Sequence, residues 1–239
     1  MSVFYDSLLT LIYPQACQIC QKSVERQADG FVCADCWEET PIFNGNETLC
    51  HKCGAFLLDK PSHFETFCRR CDDDFYDSAK AAGTYEDALL TSILNLKHKP
   101  FVPKTLGDLL LQTFLDSDFQ NSDLIIPVPL SLKRFAERGF NQAELLADNL
   151  ARQINLTVDK TSLKRRIHTE KSRRGMDRKS RMESVKNAFE VVSPRLIEGK
   201  KVLLIDDVFT SGATVSNCAK ALKKAGAETV YVLTAARAV

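Results

Sequence analysis

Two residue patterns in this chain can do chemistry, and the first is a set of eight cysteines in four equal pairs: Cys17-x-x-Cys20, Cys33-x-x-Cys36, Cys50-x-x-Cys53 and Cys68-x-x-Cys71. Two residues between thiolates let a tight turn present both sulfurs to one ion. Two such turns complete a tetrahedron around Zn²⁺ with sulfurs at about 2.3 Å. Nearest-neighbour pairing groups Cys17, Cys20, Cys33 and Cys36 as one site and Cys50, Cys53, Cys68 and Cys71 as the other, while interleaved pairing would satisfy the same chemistry. Disulfides need an oxidising compartment, redox pairs usually occur once beside a βαβ unit, and an iron–sulfur cluster would use the same thiolates. Four-cysteine sites leave no open position for substrate, so two zinc ions are expected in a structural role. His51 and His63 are surplus to these sites. Cys218, alone on an expected helix, reads as a small buried residue.

The second pattern is Val202 to Thr214, VLLIDDVFTSGAT, in which an apolar strand leads through two acids and a turn of small hydroxyl residues into a helix. Backbone N–H groups of such a turn converge on an anion, and the helix N-terminus adds partial positive charge. Thr210, Ser211, Gly212, Ala213 and Thr214 are the expected phosphate cradle. Asp206 and Asp207 are expected where strand gives way to loop, a place from which acids can accept from sugar hydroxyls. The same residues could be an ordinary helix cap, but capping does not call for two adjacent acids. No G-x-x-x-x-G-K-[ST] and no G-x-G-x-x-G is present.

Two further stretches carry charge suited to phosphate. Leu124 to Leu146, LIIPVPLSLKRFAERGFNQAELL, reads as a strand, a turn stiffened by Pro127 and Pro129, and an amphipathic helix preceded by Arg134 and Arg138. With Pro129 and Leu130 in the turn, these arginines offer bidentate donors to a pyrophosphate. Lys164 to Arg181 holds Lys164, Arg165, Arg166, Lys171, Arg173, Arg174, Arg178, Lys179 and Arg181 against two acids. It reads as a mobile cationic loop with three open roles: a contact to DNA phosphates, a lid over a reacting centre, or a solvated loop.

These residues need a framework, and the sequence outlines one. Helices are expected over 85–96, 104–115, 140–153 and 213–225, and strands over 124–128, 201–205 and 229–234, with Gly226 placed as a helix cap. Strands alternating with helices are the grammar of a parallel α/β sheet. Ser2 to Tyr13 reads as a short apolar-faced helix ended by Pro14. The chain has 239 residues, 44% of them hydrophobic and 26% charged, with a formal net charge of +1. This composition excludes collagen, coiled coil and general disorder. The balance conceals unlike parts: residues 1–80 carry 7 Lys or Arg against 13 Asp or Glu, and residues 81–239 carry 25 against 18. A boundary is expected at 72–80, dividing a cysteine-rich domain (1–76) from an α/β domain (77–239). No apolar stretch approaches the ~20 residues needed to span a bilayer. The first residues show no basic n-region or cleavage site, so a cytoplasmic location with reduced thiols is expected.

VLLIDDVFTSGAT resembles the 5-phosphoribosyl-1-pyrophosphate (PRPP) motif of type I phosphoribosyltransferases. The resemblance implies that Asp206 and Asp207 hold the ribose 2- and 3-hydroxyls, that Thr210 to Thr214 cradle the 5-phosphate, and that Mg²⁺ accompanies the pyrophosphate. PVPL followed by RGFNQ resembles a signature of the ComF family, competence-associated phosphoribosyltransferase-like proteins. The order of motifs along nearly the whole chain agrees: apolar helix, four cysteine pairs, PVPL with RGFNQ, a basic stretch ending in NAF, then IDDVFTSGAT. Within the basic stretch this chain has Lys171, Ser172 and Arg173, and later Ser184, where the family pattern suggests a glutamine and an asparagine. The resemblance implies a type I phosphoribosyltransferase-like sheet with an N-terminal double zinc ribbon. It further implies PRPP or phosphate binding and a role with single-stranded DNA and a competence helicase in natural transformation. The alternative is an active Mg²⁺-dependent phosphoribosyltransferase acting on an unidentified base.

Overall fold

The computed structural model describes residues 15–57, 66–166 and 188–238. The leading segment 2–13, His63 and residues 167–187, which include Lys171, Arg173, Arg174, Arg178, Lys179 and Arg181, lie outside the described residues.

A four-stranded parallel sheet forms the centre, in the order β1 (Ser78–Ala81), β6 (Thr229–Arg237), β5 (Lys201–Phe209) and β2 (Leu124–Pro127). Register is set by Ser78 opposite Tyr231, Lys201 opposite Thr229 and Leu124 opposite Val202. Both faces are buried, which is why β5 is an unbroken apolar run from Val202 to Ile205 rather than an alternating one. Val202 and Leu204 pack in a cluster with Val215, Cys218, Ala219 and Leu222 of α6 (Ala213–Lys224). Leu203 and Ile205 point the other way, into a cluster with α2 (Asp87–Leu96), α3 (Lys104–Leu115) and α5 (Gln142–Ile154). Beside α6 lies a two-stranded antiparallel hairpin, β3 (Leu163–Arg165) with β4 (Phe189–Val191).

The structure corrects the expected elements at three places. Asp206 and Asp207 lie inside β5, which continues to Phe209, instead of at its end. Pairing persists because β6 also runs on, placing Val208 opposite Ala236 and Phe209 opposite Arg237. Arg134 and Arg138 do not merely precede a helix; they belong to one of their own, α4 (Leu132–Arg138), capped by Ser131 and closed by Gly139. Lys164 and Arg165, expected in a loop, are in strand β3.

The cysteine-rich part is a repeated small unit. In each copy an antiparallel bridge, Ala16 with Ser23 and Leu49 with Phe56, holds a turn bearing the first cysteine pair. The turn needs a left-handed residue, which is Gln21 (φ 64°) in the first copy and Gly54 (φ 70°) in the second. The second pair of the first unit stands on α1 (Ala34–Glu38), with Cys33 at its N-cap. The first unit joins the main core: Cys17, Cys33, Cys36 and Trp37 pack with Ala88 and Leu89 of α2. Thr40 ties the two together, donating to the Cys36 carbonyl at 2.7 Å and accepting from the Ala88 amide at 3.2 Å.

Candidate functional site: two metal centres and an anion cavity

The eight cysteines converge in nearest-neighbour fours, and within each group all sulfurs lie within 4.8 Å of one another. Individual separations are 3.8 Å for Cys17–Cys36, 3.5 Å for Cys20–Cys33, 3.7 Å for Cys50–Cys71 and 3.5 Å for Cys53–Cys68. A tetrahedron with metal–sulfur bonds of about 2.3 Å has edges of about 3.8 Å, so each group fits a single Zn²⁺. Backbone geometry prepares the first thiol of each site. Burial acts to raise Cys17, but amide donors from Cys20, Cys33 and Ile19 outweigh it and bring the thiol down to about 6. Cys50 is carried to about 7 against the same effect of burial by the amides of Cys53, Cys68 and Lys52. His51 lies edge-on to Phe67 and joins neither group.

At the carboxyl end of β5 the phosphate-type residues meet. Pro129, Leu130, Arg134, Arg138, Asp206, Asp207, Thr210 and Thr214 all line one cavity of about 380 Å³, together with Arg165 from the start of the basic stretch. Ser211 and Gly212 form the turn between β5 and α6, Ala213 opens α6, and none of the three lines the cavity. Lys164 and Arg166 do not line this cavity. Gly212 adopts φ +76°, and its absent side chain is needed: a Cβ there would lie 2.8 Å from Cζ of Phe209. Phe209 cannot easily yield, because the Arg237 guanidinium sits 4.5 Å from its ring centroid and Tyr76 meets it edge-on at 6.0 Å. The first amides of α6 have no intrahelical acceptor, and that of Ala213 donates to Ser211 Oγ at 3.4 Å. Cradle geometry therefore depends on residues behind it, one of which, Arg237, donates to the carbonyl of the metal ligand Cys53.

Asp206 and Asp207 are the two carboxylates among the described residues lining the cavity. Burial pushes the Asp206 carboxyl up to about 8, the Asp207 charge adds to this, and Arg134 opposes it. Each carboxylate also accepts from the next amide in the chain, Asp207 N–H at 2.9 Å and Val208 N–H at 2.8 Å. Two neighbouring acids suit a ligand that brings hydroxyl donors. Cys218, buried behind them on α6, is pushed well up by burial and does not line the cavity.

Seven lining residues were not picked out from sequence as site residues: the apolar Val128, Ala143 and Val208, and Tyr85, Lys97, Asn141 and Gln142, which carry polar groups. Asn141 caps α5 by accepting from the Ala143 amide at 3.1 Å and donates to the Val128 carbonyl at 3.0 Å, which fixes the proline turn to the helix. Gln142 is 2% exposed. Its Oε1 accepts from Arg138 Nη1 at 2.7 Å, which orients the amide because arginine can only donate. The Nε2 group is left buried with no acceptor in the protein. Such a donor costs about 1–3 kcal/mol unless something else accepts from it. The RGFNQ run was visible in the sequence, but a glutamine opening a helix carries no mark of burial.

The fold and the cavity define a phosphoribosyltransferase-like α/β protein, here joined to paired four-cysteine zinc units. Residues 8–75 match the double zinc ribbon domain and residues 95–238 match the phosphoribosyl transferase domain. The chain is 30% identical over 231 residues to competence protein F of Haemophilus influenzae, a match covering 93% of this chain and 96% of that relative. It is likewise 30% identical over 230 residues to DNA utilization protein YhgH of Shigella flexneri, with 93% and 96% covered. Among solved structures it is similar to glutamine PRPP amidotransferase from B. subtilis, at 17% identity and a TM-score of 0.40, over 74% of this chain and 33% of that one. The chain belongs to the ComF family of phosphoribosyltransferase-like, double-zinc-ribbon proteins. Among the described residues no helix is long and apolar enough to cross a membrane.

Proposed function

We propose that the chain binds PRPP, or a closely related phosphosugar, in the cavity at the end of β5, and that it handles single-stranded DNA during DNA uptake in natural transformation. One observation carries the first half: residues from three separate parts of the sequence, 129–138, Arg165 and 206–214, line a single 380 Å³ cavity that pairs two carboxylates with three arginines. Asp206 and Asp207 accept from vicinal ribose hydroxyls, Thr210 to Thr214 surround the 5-phosphate, and Arg134, Arg138 and Arg165 neutralise pyrophosphate. The orphan Gln142 Nε2 then finds its acceptor in a ligand oxygen. Mg²⁺ enters with the pyrophosphate, whose oxygens suit a hard cation, and it would neutralise part of that charge. We assign residues 1–76 to the zinc-ribbon unit, residues 77–239 to the binding unit, and the cytoplasm as the place of action.

The DNA half rests on the names of the relatives, competence protein F and DNA utilization protein YhgH, and on the cationic stretch that begins at Lys164. A competence helicase is the proposed protein partner. Separate titrations of PRPP with Mg²⁺ and of a single-stranded oligonucleotide, on wild type and on Asp206→Ala plus Asp207→Ala, test both halves. The reading predicts loss of PRPP binding with DNA binding intact. A wild-type protein that binds no PRPP, or no DNA at low salt, overturns the corresponding half.

A further inference from the structure

The phosphosugar cavity is a poor seat for DNA. The vicinal diol that Asp206 and Asp207 would accept is absent from deoxyribose, which leaves both side chains without a donor. A second, separate groove of about 330 Å³ lies on the neighbouring surface, between α6 and the β3–β4 hairpin. Resting on the DNA-handling reading above, we propose that this groove carries the phosphodiester backbone of a single nucleic-acid strand.

The groove's charge is one-sided. Asn217, Lys220 and Lys224 of α6 line it at helical spacing, with Arg166 on the facing wall. Helix α6 contains no acidic residue at all. The groove's carboxylate, Glu190, is already neutralised by Arg166 at 2.9 Å. Lys223, on another side of the helix, is occupied by Asp77 at 2.7 Å and by the Glu228 carbonyl. Lys220 and Lys224 have no acidic partner within ion-pair distance among the described residues, so their charge is available. They stand one turn apart, about 6 Å along the axis, in a row along the helix. A row of cations suits a linear polyanion, whereas a small anion needs donors that converge.

An aromatic face lies at one end of the row. Phe75 is 46% exposed, the Lys220 ammonium is 5.2 Å from its ring centroid, and its amide is held by Ser216 Oγ at 3.3 Å. Exposed rings beside a cationic track are how single-strand grooves stack bases without reading sequence. The arrangement also explains the split of the basic hairpin: alternation along an extended chain sends Arg165 to the phosphosugar cavity and Arg166 to the groove. Two consecutive residues, the last of β3 and the one after it, thus reach the two sites.

The test is fluorescence anisotropy of a labelled oligo(dT) with the full chain across a salt series, comparing wild type with Lys220→Ala plus Lys224→Ala. A control lacks two lysines elsewhere, Lys104→Ala plus Lys160→Ala. The groove variant should bind at least tenfold more weakly at low salt, and the slope of log K against log salt should become shallower by about 1.4, two phosphates at about 0.7 each. The control should change affinity less than threefold, PRPP binding should be unchanged in both, and Phe75→Ala should lose about fivefold. If wild type binds DNA and the groove variant keeps its affinity and slope, the groove assignment is wrong while the DNA reading stands. If wild type binds no DNA at low salt, the DNA reading itself fails, and the groove assignment with it.

Discussion

Replacing Gly212 by alanine probes the coupling between phosphate cradle and zinc ribbon. Two costs add at this position. A left-handed backbone with a Cβ costs roughly 1–2 kcal/mol. The new methyl would also stand 2.8 Å and 3.2 Å from two carbons of the Phe209 ring, and overpacking of this kind costs about 1–3 kcal/mol. The ring has little freedom, since it is 4% exposed and held by Arg237 and Tyr76. Gly199 supplies the reference: its φ is +69°, with nothing within 4 Å of a built Cβ, so Gly199→Ala suffers only the backbone cost. At about 2–4 °C per kcal/mol for a chain of this length, Gly212→Ala should melt roughly 2–12 °C below Gly199→Ala in thermal unfolding of the zinc-loaded protein. It should also lose phosphate affinity that Gly199→Ala retains. Equal melting temperatures for the two variants would refute the claim that Phe209 is braced against the cradle.

Other predictions follow from the same geometry. Cys17→Ser and Cys50→Ser should each lower bound zinc from two ions per chain to one in elemental analysis, because the two sites share no ligand. An Asp206 carboxyl raised to about 8, against about 3.9 unfolded, means the folded state holds a proton that the unfolded chain has lost. Stability contributed by this group therefore falls as pH rises from about 4 to about 8. Asp206→Asn should flatten that part of the melting-temperature profile, read as the difference from wild type. Ligand hydroxyls favour the Asp206 carboxylate, so binding at pH 7 should release a proton, seen as a dependence of binding enthalpy on the buffer. Gln142→Leu should fold normally yet weaken pyrophosphate binding about tenfold, since it removes both the acceptor that aims Arg138 and a donor worth about 1.5 kcal/mol to a charged oxygen.

The zinc sites were legible in sequence because ligand spacing is itself the geometry: two residues between sulfurs fix a knuckle. Their pairing was not, and the sulfur distances settle it in favour of neighbours. Helix α3 was expected over 104–115 and is found there, as its apolar residues recur at helical period between a proline and a polar stop. Strand β5 was found but cut short, because two aspartates read as a loop while main-chain pairing with β6 carried the strand through them. The hairpin β3–β4 and strand β1 have only three or four residues each, too few for a period to show. Helix α4 buries none of its residues, so it lacks the apolar face that announces a helix. Of the cavity residues, the acids, arginines and threonines were found by charge and motif. Tyr85 and Lys97 come from another part of the fold, and only the packing of α2 against the sheet brings them in.

The central claim is that Asp206 and Asp207 accept from a vicinal diol. Displacement of a bound PRPP analogue by ribose 5-phosphate and by 2-deoxyribose 5-phosphate tests it most directly, since the two sugars differ at one hydroxyl and share the phosphate. Leaving a carboxylate without its donor should weaken the deoxy sugar at least tenfold, about 1.4 kcal/mol, and Asp206→Ala plus Asp207→Ala should erase the difference. Equal displacement by the two sugars from the wild-type protein would contradict the account.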